Sequence, residues 1–264
     1  MLEVIAASTI PANMARRDQT PLPAVLYEDD HLLALDKPSG LLIAPDRWDK
    51  DLPNLMQVVH ERLGPEYANA HRLDRDASGV VLLAKHAEAL RDLRRQFDAH
   101  GVGKCYVALT RPAPIQSAGE ISKPLGADPA RLGRMRVSSK GKESITHYEV
   151  LENWNRRYAL LRLIPLTGRT HQLRVHIAQL GCPILGDAFY GDGRGLLLSE
   201  FKPGYKHTGA VERPLIGRLA LHAQSLTFRH PATGQELTIE SPLPKDFQIA
   251  LKNLRRFAGA LGKK

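Results

Sequence analysis

The sequence predicts a single domain built on an antiparallel or mixed sheet with helices beside it. Three observations lead there. Strand-like and helix-like segments follow one another without strict alternation, which disfavours a doubly wound parallel sheet. Several strand-like segments are neighbours in the chain, the pattern of antiparallel pairing. No internal repeat, low-complexity block or linker interrupts the 264 residues, a length that suits one large domain. The expected division is an N-terminal tail over 1–22, a folded domain over 23–258 and a C-terminal tail over 259–264.

The elements follow in order. Residues 1–22 carry Pro11 and Pro21 and no clear periodicity. "VLYEDDHLLALDKPSGLLIAP" (25–45) reads as two short strands around an Asp-Asp turn, then an extended run. In "DLPNLMQVVHERLG" (51–64), Asp51 is the expected N-cap and Gly64 the stop. Leu55, Met56, Val59 and Leu63 then share one helical face. "GVVLLA" (79–84) is unbroken apolar, hence a strand buried on both faces. "HAEALRDLRRQFDAHG" (86–101) is an amphipathic helix with Leu90, Leu93 and Phe97 inward. "KCYVALT" (104–110) is another strand. Residues 112–143, rich in Pro, Gly, Lys and Arg, read as hairpins and loops with a basic exposed surface.

"SITHYEVLEN" and "RYALLRLIPLTG" alternate and should pair. "THQLRVHIAQLG" (170–181) is a short helix from Thr170, ended by Gly181. Residues 218–242 form a hairpin turning at Pro231–Gly234, and "KDFQIALKNLRRFAG" closes the domain with a helix.

Composition narrows the function. Two cysteines, Cys105 and Cys182, are too few for a disulfide framework or a cysteine-based zinc site. No apolar stretch approaches the ~18 residues of a membrane span. The N-terminus lacks a positive region ahead of its apolar part, so no signal peptide is expected. A cytoplasmic setting follows, without membrane association. The net charge of +9 favours polyanionic partners, since neutralised phosphates release counterions.

Two constellations could carry chemistry. "HRLDRD" (71–76) places five ionisable side chains at the mouth of the buried strand. A carboxylate there, Asp74, is placed to act as nucleophile or general base; the same pattern also fits a salt-bridged surface loop. On the 170–181 helix, Leu173, Ile177 and Leu180 form the apolar face, while His171 and Arg174 share another and could meet a phosphate or carboxylate; an ordinary amphipathic surface helix gives the same pattern. Thr170 is a candidate cap. Tyr106 is either a half-buried strand tyrosine or a platform for a base.

Metal is not expected: His171 and His176 are five apart, and neither His-Glu-x-x-His nor paired cysteines occur. No dinucleotide fingerprint, Walker loop or nucleophile elbow is present, so no cofactor is expected.

"HRLDRDASGVVLLAK" resembles the catalytic motif of the pseudouridine synthases, in the branch typified by the ribosomal large-subunit uridine modifiers. Four further blocks agree in order: "YEDDHLLALDKPSGLL", "KCYVAL", "GRTHQLRVHIAQLGCPILGD" and "LALHAQSLTFRHPATGQ". The resemblance spans about 24–247. It implies an α+β domain, a mixed, mostly antiparallel sheet with flanking helices, and a catalytic cleft across its middle. It further implies that Asp74 is the essential aspartate and that Arg72 enters the RNA stack where the uridine leaves it. Tyr106 stacks on the flipped base, Arg174 pairs with the catalytic carboxylate, and Leu173 walls the pocket.

One departure is Ala77, where the family most often has Thr, a loss of roughly one hydrogen bond or ~1 kcal/mol. The residues before the first block are expected to be too few for a separate RNA-binding domain. RNA selection is therefore expected from basic loops such as Arg131–Lys142, where Arg134, Arg136 and Lys140 either grip phosphates or form a plain solvated basic surface.

The implied reaction needs neither redox nor metal. It needs a carboxylate at the sugar–base junction, acting as nucleophile at sugar or base, or as base toward the 2′ proton. The expected partner is structured RNA, ribosomal or transfer, acted on by a monomer. The alternative is a non-catalytic RNA-binding or remodelling protein on the same fold.

Overall fold

The computed structural model describes residues 20–46, 49–209 and 211–259. Most of both predicted tails lies outside the described residues. The part of the N-terminal tail that is described belongs to the folded body: Leu22 packs on the core, and Arg62 donates to the Thr20 carbonyl.

The strands are β1 (Val25–Glu28), β2 (Leu32–Lys37), β3 (Ala68–Asn69), β4 (Ser78–Ala84), β5 (Gly103–Thr110), β6 (Ala118–Ser122), β7 (Leu125–Ala127), β8 (Met135–Val137), β9 (Ile145–Trp154), β10 (Tyr158–Pro165), β11 (Leu221–Arg229) and β12 (Glu236–Glu240). Ten of them form one sheet in the order β1-β2-β4-β11-β5-β10-β9-β6, with β12 beside β11 and β3 beside β4. β7 and β8 form a separate hairpin. Every pairing in the large sheet is antiparallel except β4 with β11. The architecture is thus mixed, mostly antiparallel α+β, as expected.

The helices are α1 (Leu55–Arg62), α2 (Ala87–Asp98), α3 (Gln172–Gln179) and α4 (Lys245–Phe257). Alternate residues of the central strands feed two cores, as the two-residue period of a strand dictates. Leu33, Leu35, Val81 and Leu83 face α1, α3 and α4. Leu32, Ala34, Val80 and Leu82 face α2. All seven residues of β4 are buried, which is why that segment reads as unbroken apolar.

The single parallel pair positions the site. His222 pairs with Ser78 and Ala223 with Gly79, so the loop before β4 ends at the middle of the sheet. The approach there admits only glycine. Gly79 has φ +117, and a Cβ on it would lie 2.2 Å from the Ala223 carbonyl oxygen.

Four local expectations need correction. α1 is capped by Asn54, whose side chain accepts the Gln57 N–H at 3.0 Å. Asp51 lies in the preceding turn. The buried face of α1 is Leu55, Met56, Val58 and Val59, and Leu63 is exposed. α3 starts beyond Thr170: His171 holds the cap position in a left-handed conformation (φ 54) with no side-chain cap bond. Nor is α3 amphipathic, because Gln172 to Ile177 are all buried, polar members included, while Leu180 is exposed.

Candidate active site

The 71–77 loop is held by backbone bonds and by a buried lysine. Gly40 N–H donates to the Arg75 carbonyl at 2.8 Å, and Ala77 N–H to that of Asp74 at 3.2 Å. Ala77 is fully buried, so the loop closes there without a side-chain hydroxyl. Ser78 Oγ is 3.0 Å from His222 Nδ1 and accepts from Arg218 at 3.2 Å. His71 is a structural peg: Nε2 accepts the Leu82 N–H at 3.1 Å and the ring stacks on Phe97 at 4.9 Å. Burial pushes its pKa down to about 4, so it stays neutral.

Lys37, at the end of β2, is wholly buried. Its ammonium donates to the carbonyls of Pro38 (2.8 Å), Leu41 (2.8 Å) and Arg75 (3.0 Å). Burial pulls its pKa from 10.5 to about 7, against the charges of Asp76 and Asp74. The unfolded chain therefore holds more protons between about pH 7 and 10.5, and stability from this group rises with pH across that window. Lys37→Met leaves three carbonyls without their donor. We expect a loss of about 3 kcal/mol at pH 7, a flatter stability–pH curve above pH 7, and lower turnover as the loop loosens. Urea unfolding at pH 7 and pH 9 checks this; an unchanged midpoint refutes it.

Asp74 faces the cleft with its side chain one quarter exposed, and its Oδ2 lies 3.7 Å from Arg174 Nη1. The tighter partner of Arg174 is Asp187. Nε and Nη2 donate to its two carboxylate oxygens, each at 2.8 Å, in the two-pronged geometry that fixes a guanidinium. Asp187 Oδ1 also accepts the N–H groups of Phe189 (2.9 Å) and Tyr190 (3.1 Å). Burial raises the Asp187 pKa; the Arg174 bond and those N–H groups outweigh it and hold the carboxyl below its usual range. The rings of Phe189 and Tyr190 each lie 5.2 Å from the Arg174 guanidinium. Arg174 is thus fixed from behind and presents Nη1 to Asp74.

Tyr106, on β5, pairs with Ala223 of β11, which in turn pairs with Gly79 at the end of the loop; burial, and then the charge of Asp74, raises its hydroxyl pKa. Leu173 is 7% exposed and packs into the core next to Arg174. Arg72 is exposed at the loop's rim. Arg136 and Lys140 are exposed on and beside the β7–β8 hairpin. Arg134 is half-buried, 5.0 Å over the Phe189 ring and donating to the Ala188 carbonyl at 3.4 Å. It therefore docks the hairpin on the 187–190 turn.

The sequence reading missed Lys37, Asp187 and Tyr190. A lysine closing an apolar strand and an aspartate after "PILG" were the available signals. Among the described residues no cluster of three or more His, Cys, Asp or Glu could hold a metal, and no helix is long and apolar enough to cross a membrane.

A one-quarter-exposed carboxylate, a clamped arginine and a half-buried strand tyrosine thus lie near the middle of a mixed sheet. The family model "RNA pseudouridylate synthase" matches residues 31–179. "Ribosomal large subunit pseudouridine synthase D" of Nitrosomonas europaea is 37% identical over 96% of this chain and 71% of its own length. "Dual-specificity RNA pseudouridine synthase RluA" of Escherichia coli is 38% identical over 85% of this chain and 94% of its own. The structure of human RNA pseudouridylate synthase domain containing 4 superposes with TM-score 0.67 and 31% identity, covering 88% of this chain and 92% of that one. The chain belongs to the RNA pseudouridylate synthase family and is an RNA pseudouridine synthase.

Proposed function

We propose that Asp74 is the catalytic residue of a uridine-to-pseudouridine isomerisation in structured RNA, ribosomal or transfer. The observation that carries this is the half-open Asp74 carboxylate beside a guanidinium fixed by other groups. The N1–C1′ bond breaks, the base turns, and a C5–C1′ bond forms; C5 loses a proton and N1 gains one. Asp74 acts at the sugar–base junction, and Arg174 orients it through Nη1.

A stacked uridine is out of reach and must be flipped, at a few kcal/mol. Tyr106 receives the base, Leu173 backs the pocket, and Arg72 fills the gap left in the RNA, offsetting part of that cost. The name of the Nitrosomonas relative supports a ribosomal target. In this reading the enzyme acts as a cytoplasmic monomer. A transcriptome-wide pseudouridine map in cells lacking the gene, complemented with wild type or Asp74→Asn, tests it. Sites restored by wild type alone support the reading; sites restored equally by both overturn it.

The basic hairpin supplies phosphate contacts. Arg136 and Lys140 reach solvent, Arg134 docks the hairpin, and Leu132 at the tip is 85% exposed, an apolar side chain available to an unstacked base. Replacing Arg136 and Lys140 with Gln should flatten the plot of log affinity against log salt by about 0.7–0.9 for each phosphate no longer neutralised. An unchanged slope refutes the assignment.

A further inference from the structure

The Tyr190 hydroxyl joins three parts of the molecule. It accepts the backbone N–H of Met135, the first residue of β8, at 2.8 Å. It lies 2.8 Å from His171 Nδ1. Its ring rests on the Arg174 guanidinium, and its own N–H is held by Asp187. An amide N–H only donates, so Met135 uses a lone pair of the oxygen. We assign the phenolic proton to Nδ1, so that the neutral His171 carries its own proton on Nε2.

His171 is itself unusual. It is a non-glycine residue at φ 54, a sparsely populated conformation that clusters at functional sites and that asparagine tolerates well. Burial lowers its pKa. Of the charges around it, Asp74 and Asp76 of the catalytic loop and Asp187 of the following turn pull it up, while Arg174 on α3 pushes it down. Its ring makes edge contacts with Phe189 and Tyr190.

We propose that Tyr190 is a positioning residue: its hydroxyl ties the β7–β8 hairpin to His171 while its ring holds Arg174, so that RNA seated on the hairpin is registered against Asp74. This rests on the reading that the hairpin carries RNA. The link is direct. From Met135 to the ring on Arg174 there is one side chain, and from Arg174 to Asp74 a single approach of 3.7 Å.

Tyr190→Phe keeps the ring on Arg174 and removes both hydroxyl bonds. At saturating RNA the single-turnover rate should fall at least about tenfold, a misplacement effect, with RNA affinity within about threefold. The acid limb of the pH–rate profile should move to higher pH, because the neutral imidazole loses its donor. His171→Asn offers a side-chain oxygen to the same phenolic proton and suits φ 54. It should keep most of the rate and lose the acid limb set by His171, whereas His171→Ala should match Tyr190→Phe in rate.

A wild-type rate and profile in Tyr190→Phe overturns the proposal. So does a defect confined to affinity, or a His171→Asn variant as slow as His171→Ala. If Tyr190→Phe melts below the assay temperature, the His171 pair decides. Failure of the hairpin reading appears on another readout, the salt slope of binding. That failure overturns the registration of RNA even where the rate defect of Tyr190→Phe stands.

Discussion

Asp74→Asn should abolish pseudouridine formation and leave RNA bound. The substitution keeps the shape and removes the charge. An amide is neither a nucleophile at the sugar or base nor a base toward the 2′ proton, so each route through Asp74 closes. The expected rate loss is at least roughly 10³-fold, with RNA affinity within about threefold. The fold should be untouched, because Arg174 takes its two short bonds from Asp187 and reaches Asp74 only at 3.7 Å. A tritium label at C5 of the target uridine reads the reaction directly, since C5 loses its hydrogen when it becomes the glycosidic carbon. Label release above a tenth of the wild-type rate in Asp74→Asn would sink the assignment of Asp74.

The sequence was most legible where one force dominates. β4 is unbroken apolar because both faces are covered, and α2 shows its stripe because one face meets water: Leu93 is buried while Arg91, Arg94 and Arg95 are exposed. α3 was misread for the opposite reason. Its polar residues are buried and satisfied from a distance. Gln172 bonds Thr167, Ile145 and Thr146, and His176 bonds Thr146 and Lys123. Periodicity cannot tell such residues from solvated ones. The α1 cap failed on a finer scale. Asp51 and Asn54 are both good caps, and the choice falls to Asn54 because Leu55 N–H and Met56 N–H bond back to Leu42 and Ile43.

The site divides the same way. Asp74 stood out in an ionic run at the mouth of a buried strand and Arg174 beside His171 on the 170–181 helix, and the family motifs around them implied their roles. Lys37 and Asp187 are charges whose only work is inside the protein, and their partners are backbone carbonyls or a residue 13 positions away. The local marks are faint: a lysine closing an apolar strand and an aspartate after "PILG".

Asp187→Ala should cost more stability than any single change at the cleft surface. Asp187 is 1% exposed and Arg174 4%, so the pair has already lost its water. Removing one member strands the other, at about 3–5 kcal/mol. In a domain of this size that lowers Tm by roughly 6–20 °C. The sign of the pH dependence follows: a carboxyl held below its usual 3.8 gives stability present above that value and lost as pH falls through the folded-state pKa. The wild-type advantage over Asp187→Ala should therefore shrink in acid. Activity should fall with stability, because Arg174 is then free to turn from its position against Asp74. The double variant Arg174→Met/Asp187→Leu separates the two roles. A matched apolar pair restores packing without a buried charge, so Tm should recover while pseudouridine formation does not. Recovery of both would show that Arg174 serves only the fold. Recovery of Tm alone would place Arg174 in the chemistry, with Asp187 as the group that keeps it there.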